Sequence, residues 1–147
     1  MIKEDKDLLL KDLCCRLPYG VKCKVSYNSG VINDADATLY GIDKDGFLMF
    51  DEIGGDHREF LCKPYLFPLL SMTEEQKIEC FKGTPLEIDK YGYIEVKDDS
   101  HGNSLYTDLE IYLEVIDWLN KNHFDYRGLI PKGLAIDATG LNIYKEE

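Results

Sequence analysis

The sequence predicts an α+β protein, with an N-terminal helix, then a small bent antiparallel sheet or an SH3/Sm-like barrel, then C-terminal helices packed on it. Three observations predict this class. Apolar residues recur at helical spacing in residues 3–17, they alternate strictly with polar residues in 21–28, and helix-capping patterns appear at 73–76 and 107–110.

The length of the chain predicts one domain over residues 1–147. We expect the N-terminal helix and the sheet in about 1–70. A helix, a hairpin and a C-terminal helical part should occupy about 71–147.

The first helix is predicted in "KEDKDLLLKDLCCRL" (3–17), and Pro18 blocks its continuation. Its apolar positions are at helical spacing: Leu9, Leu10, Leu13, Cys14 and Leu17. These residues are therefore expected to face the core.

The sheet is predicted from "GVKCKVSYN" (20–28) and from a second strand at 37–42. "DKDG" (43–46) should form a hairpin turn before a strand in "FLMFD" (47–51). A further strand is expected at 60–65, where Pro64 would confine it to an edge or an end of the sheet.

In the second half, "SMTEEQKIECF" (71–81) predicts a helix capped by Thr73, with Gln76 completing a capping box. "LEIDKYGYIEVKDD" (86–99) predicts another hairpin. Thr107 and Glu110 should cap a last amphipathic helix, ending near Asn122.

The charge balance is acidic, with 28 Asp and Glu against 17 Lys and Arg, a net charge of −11. A field of this sign repels phosphate backbones, which disfavours nucleic acid as a partner. No stretch approaches the roughly 20 apolar residues that span a bilayer, and the N-terminus lacks a signal-peptide core. We therefore expect a cytoplasmic protein without a membrane partner.

Five cysteines without a C-x-x-C pair predict reduced, mostly buried thiols and no zinc site. His57 lies in "GGDHREF" beside Asp56 and Glu59, a pattern that suits a solvated acidic turn better than a metal loop. The chain lacks G-x-S-x-G and the glycine-rich phosphate loops. These patterns predict no catalytic residue, no metal and no cofactor.

"WLNKNHFDYRGLIPKGLAID" (118–137) is the richest stretch in chemically capable side chains. One interpretation is structural: His123 caps a helix end, Asp125 and Arg127 pair or Arg127 reaches another carboxylate, and glycines make turns. The other is a protein-docking patch, because Trp, Tyr and Arg dominate binding hot spots. Its candidate residues are Trp118, His123, Asp125, Tyr126 and Arg127.

Three segments of the chain resemble a family of short proteins from gut bacteria, often encoded near prophage or mobile-element genes. They are "LLLKDLCCRLPYGVKCKV", "CKPYLFPLLSMTEEQK" and "DWLNKNHFDYRGLIPKGLAIDA", whose WLN…HFDYRGLI.KGLA ending is the most specific. The resemblance implies a cytoplasmic, mobile-element setting and no catalytic residues.

The order of a helix, "GVKCKVSYNSG" and "ATLYGIDKDGFLMFDE" is also similar to Sm-like RNA-binding barrels. Gly46 and Phe47 stand where those proteins carry an RNA-contacting Asn, so the likeness concerns the fold. Lys22 and Lys24 are the only paired basic residues on a candidate strand.

Three functions follow as hypotheses. The leading one is a non-enzymatic accessory or adaptor protein that binds another protein, or a second copy of itself, near 118–132. An Sm-like RNA-binding module is the alternative. The third is a small enzyme with a site that joins His57 or His123 to a carboxylate.

Overall fold

The computed structural model describes residues 2–26, 35–51, 62–97 and 109–144. The helices are α1 (Lys3–Arg16), α2 (Glu74–Phe81) and α3 (Leu109–Lys121). The first four strands are β1 (Lys22–Val25), β2 (Ala35–Ile42), β3 (Leu48–Phe50) and β4 (Cys62–Pro68). The later strands are β5 (Leu86–Ile88), β6 (Ile94–Val96), β7 (Phe124–Asp125) and β8 (Ile136–Asp137).

The predicted α+β class is confirmed, and of the two predicted alternatives the described strands form an open sheet and not a closed barrel. The sheet differs from the prediction in one way. Strands β3, β2, β1 and β4 pair antiparallel in that order, whereas β7 and β8 pair parallel to β4, so the sheet is mixed. Each parallel pairing involves only two residues of the returning chain, which is too short for an alternation pattern to predict.

The prediction that Pro64 marks an edge or an end is wrong. Pro64 lies within β4, opposite Cys23 of β1, and β8 pairs with the same strand from Tyr65 onward. The carbonyl of Tyr65 faces the β1 edge, where it accepts from the Tyr144 hydroxyl, so Pro64 turns its nitrogen to the opposite edge. Pairing with β8 begins only after Pro64, and the missing N–H therefore interrupts no ladder bond.

Two apolar clusters fill the described part of the molecule. The first lies between α1 and the sheet, and it also takes in Leu129, Leu134 and Ala135 from the C-terminal segment. The second joins α2, α3 and the β5–β6 hairpin to Phe124. The C-terminal segment thus packs against both clusters. The single domain over the whole chain stays a prediction.

The buried face of α1 contains most of the predicted apolar stripe and, in addition, a charged pair. Leu9 and Leu13 are buried and Leu10 and Leu17 pack against the same cluster, whereas Cys14 is exposed. The other buried positions are Asp12 and Arg16. These two side chains are four residues apart, so they lie on the same face of the helix. A charged pair therefore occupies positions where the periodicity alone would place apolar residues.

Local turn and cap signals are confirmed where the structure describes them. Thr73 and Gln76 form the capping box of α2. The "DKDG" turn forms, with the Asp43 carboxylate accepting from the backbone N–H groups of Asp45 and Phe47. Asp89 builds the second hairpin turn in the same way. The Thr107 cap and the His57 loop lie outside the described residues.

The side chain of Tyr144, near the C-terminus, bridges β1 and β4 at the end of their pairing. Its hydroxyl accepts from the backbone N–H of Lys22 at 2.9 Å and donates to the carbonyl of Tyr65 at 2.7 Å. Lys22 and Tyr65 are the next two residues in the β1–β4 register. The hydroxyl therefore replaces the direct backbone bond that would otherwise extend the ladder.

Replacing Tyr144 with Phe is expected to lower the free energy of unfolding by about 1–3 kcal/mol, because it leaves two backbone groups without their partner. Urea denaturation measures the change. Tyr40→Phe is the matched control, since Tyr40 is 54% exposed and should lose almost nothing. Equal stability of the two variants would contradict a bridging role for Tyr144.

Within the described ranges, no helix combines the length and the apolar character needed to cross a membrane.

Candidate docking cleft

The residues of the predicted patch do not form one continuous surface. Trp118 is half-buried and stacks on Phe124, with ring centroids 5.7 Å apart, so it belongs mainly to the second apolar cluster. His123 is 8% exposed and stacks on Tyr144 at 3.7 Å. These two candidate residues are therefore mostly committed to packing.

His123 joins the end of α3 to the sheet. Its backbone is left-handed, with φ +63°, and its carbonyl accepts from the N–H of Phe67 at 2.8 Å. Burial, together with the charges of Arg16 and Lys22, lowers the pKa of the imidazole to about 4. The ring is therefore neutral at pH 7, and a charged helix cap, one of the roles expected for it, does not form.

Asp125 is also buried and holds the turn that follows β7. Its two carboxylate oxygens accept from the backbone N–H groups of Leu129 and Ile130, both at 2.9 Å. Both carboxylate oxygens of Asp125 are therefore used in hydrogen bonds within the protein. Arg127 makes its ion pair with Asp12 of α1, which is the second of the two arrangements that the sequence left open.

The carboxylate of Asp12 contacts the guanidinium groups of two arginines. Arg16, which is fully buried, donates to both of its oxygens at 2.8 and 3.1 Å and to the carbonyl of Phe124 at 2.7 Å. Arg127 approaches the same carboxylate with its Nε at 3.4 Å, without hydrogen-bond geometry. This network was not predicted from the sequence, in which its signal is the D-x-x-x-R spacing on an otherwise apolar helix face.

Tyr126 lies against both guanidinium groups. The Cζ atoms of Arg16 and Arg127 are 5.3 and 5.1 Å from its ring centroid, within the range of cation–π contacts. Its hydroxyl donates to Oδ1 of Asn120 at 2.9 Å. Tyr126 is thus held rigidly while part of its surface stays accessible.

Beside Tyr126 and Arg127 lies a cleft of about 460 Å³, which we call the aromatic cleft. Its other wall consists of Leu70 and the turn of the β5–β6 hairpin. Leu70, Tyr91 and Tyr93 are 60%, 69% and 70% exposed, a high exposure for three large apolar side chains around one opening. These three residues were not predicted to belong to a site, because they are distant in sequence from 118–132.

Among the described residues, the side chains that could act in catalysis do not come together as the enzyme hypothesis requires. The cleft that contains His123 is lined by Ser71, Thr73, Gln76 and other residues, and no carboxylate is among the described residues that line it. In the described ranges no group of three or more His, Cys, Asp or Glu side chains could hold a metal ion. His57, the other histidine of the enzyme hypothesis, lies outside the described residues.

All five cysteines are free thiols, three buried, Cys15 half-buried and Cys14 exposed. Burial raises the pKa of Cys80 to about 12, and it also raises the pKa of Cys14. Both thiols are consequently protonated at neutral pH, a poor state for a nucleophile.

No protein-family model, no curated protein and no solved structure matches this chain. The resemblance to the gut-bacterial family therefore stays a prediction.

The two hairpin turns offer a matched pair of substitutions. Gly46 and Gly92 have φ values of +86° and +88°, so alanine at either position should cost about 1–2 kcal/mol of backbone strain. A Cβ at Gly92 would lie 3.2 Å from Cγ of Leu70, whereas at Gly46 it would meet nothing within 4 Å. Only Gly92→Ala should therefore move Leu70.

The expected result is that Gly92→Ala shifts the methyl NMR signals of Leu70 while Gly46→Ala leaves them in place. Urea denaturation should show a loss of stability in both variants. Unchanged Leu70 signals in Gly92→Ala would contradict the close approach of the hairpin to this side of the cleft.

Proposed function

We propose that this chain is a non-enzymatic accessory or adaptor protein that binds another protein through the aromatic cleft. The observation that carries the proposal is the convergence of exposed Leu70, Tyr91 and Tyr93 on the accessible parts of Tyr126 and Arg127. Tyr and Arg are enriched among residues that dominate binding energy. A cytoplasmic, mobile-element setting is part of the proposal and rests on the resemblance alone.

Of the five residues of the predicted patch, the proposal keeps Tyr126 and Arg127 as binding residues. Trp118 and Asp125 support them from within the protein, and His123 packs on Tyr144. Trp118 stacks on Phe124, the residue whose carbonyl binds Arg16, and Asp125 fixes the turn after Arg127. A rigid wall of this kind lowers the entropy lost on binding.

The test is an affinity capture from host cells with three tagged baits, quantifying recovered proteins and nucleic acid. The baits are the native chain, a Tyr91→Ser/Tyr93→Ser double variant, and Tyr40→Ser. Tyr40 is an exposed tyrosine of β2 outside the cleft lining, so it controls for a general loss of aromatic surface.

The proposal expects a protein recovered by the native chain and Tyr40→Ser, and lost with the double variant. An identical set of proteins with all three baits would contradict it. Recovery of RNA by every bait would favour the Sm-like alternative.

A further inference from the structure

We infer that the aromatic cleft recognises an acidic, apolar segment of its partner, in which an Asp or Glu lies beside a large apolar side chain. The inference rests on the proposed function and adds the chemistry of the partner. In the complex, the carboxylate would bind Arg127, and the apolar side chain would lie between Leu70 and the hairpin tyrosines.

The carboxylate that lines the aromatic cleft is already hydrogen-bonded within the protein. Asp125 is the carboxylate among the lining residues, and both of its oxygens accept from backbone N–H groups at 2.9 Å. The Nε of Arg127 is buried and faces Asp12, while the side chain as a whole is 24% exposed. The accessible part of this cationic side chain therefore borders an opening whose own carboxylate is already hydrogen-bonded, which favours an anionic ligand.

The carboxylate of Asp12 does not fully satisfy the guanidinium groups of both Arg16 and Arg127. Arg16 binds both of its oxygens, which leaves Arg127 with a 3.4 Å ion pair and a 3.5 Å contact between its Nη2 and the sulfur of Cys15. A carboxylate of a binding partner would give Arg127 a stronger ion pair than the one that it makes with Asp12.

The side chains of two acidic residues on the β5–β6 hairpin point away from the aromatic cleft. Ile94 lines the cleft, and it pairs with Ile88 on one face of the hairpin. Glu87 and Glu95 form the neighbouring pair, so their side chains point to the opposite face. The Lys90 Nζ lies over the Tyr91 ring at 5.0 Å, adding a second cation at this side of the cleft.

The net charge of −11 does not prevent this recognition. At physiological ionic strength the Debye length is about 8 Å, so distant surface charges are screened while groups in contact are not. The contacting groups are therefore expected to decide which segment binds.

The experiment is selection from a phage-displayed library of random dodecapeptides on the immobilised full chain. Selected peptides should carry Asp or Glu within a few positions of Phe, Tyr, Trp, Leu or Ile. A synthetic copy should lose roughly tenfold or more in affinity for Arg127→Gln, as for a lost hydrogen bond to a charged group. It should lose its binding to Tyr91→Ser/Tyr93→Ser and bind Tyr40→Ser normally.

Each other outcome overturns the inference. Apolar peptides with no acidic preference, or with basic residues, would refute the acidic chemistry while leaving the cleft as a docking site. Binding that is insensitive to the tyrosine variant would place the peptides elsewhere. Because Tyr91 and Tyr93 are exposed, that variant should fold even where Arg127→Gln does not. Failure of the affinity capture is a separate result, and it would count against the proposed function.

Discussion

Replacing Asp12 with Ala is expected to lower the free energy of unfolding by about 3–5 kcal/mol, the usual cost of breaking a buried ion pair by removing one partner. Arg16 is fully buried, and among the described residues it would keep the carbonyl of Phe124 as its one hydrogen-bond acceptor. Arg127 would lose its ion-pair partner at the same time. Urea denaturation at pH 7 measures the change.

Asp7→Ala is the matched control, because Asp7 lies on the same helix and is exposed. It should change the stability by no more than about 0.5 kcal/mol. Asp12→Asn keeps an acceptor without the charge and should fall between the two variants. If Asp12→Ala were as stable as Asp7→Ala, the network would not hold α1 to the segment after α3.

The second large effect is a loss of stability in acid that depends on His123. The pKa of its imidazole is lowered from 6.5 to about 4, by burial first and then by Arg16 and Lys22. Between these two values the unfolded chain binds a proton that the folded chain does not. The contribution of the neutral His123 imidazole to the free energy of unfolding is therefore fully present above pH 6.5, and it is lost as the pH falls toward 4.

His123→Asn removes the titrating group and keeps a residue type that tolerates the left-handed φ of +63°. The native chain should lose about 3 kcal/mol more than the variant between pH 7 and pH 4, since one pKa unit corresponds to about 1.4 kcal/mol. Urea denaturation at several pH values gives this difference, in which the titration of carboxylates common to both proteins cancels. Parallel pH profiles would contradict a neutral, buried His123.

The sequence predicted best those features that depend on neighbouring residues. The Thr73–Gln76 box and the "DKDG" turn are confirmed because a cap or a tight turn is decided by backbone groups within four residues. The parallel pairing of β4 with β7 and β8 was missed. It joins residues far apart in sequence through only two positions each.

The structure places the five residues of the predicted patch in different surroundings. Tyr126, Arg127 and the buried Asp125 line the aromatic cleft, whereas His123 is buried outside its lining. Asp12 and Arg16 were overlooked because charged residues are almost never fully buried, so periodicity places them at the surface by default. Leu70, Tyr91 and Tyr93 could not be linked to residue 126 without the fold, since Leu70 follows β4 and the two tyrosines belong to the β5–β6 hairpin.

The central claim is that the aromatic cleft is the surface that meets a partner. Its most direct test replaces Tyr93 with the photo-crosslinking residue benzoyl-phenylalanine in host cells, and places the same residue at Tyr40 for comparison. We predict a discrete adduct with one protein from position 93 that is absent from position 40. The same adducts from both positions, or no adduct from position 93, would contradict the claim.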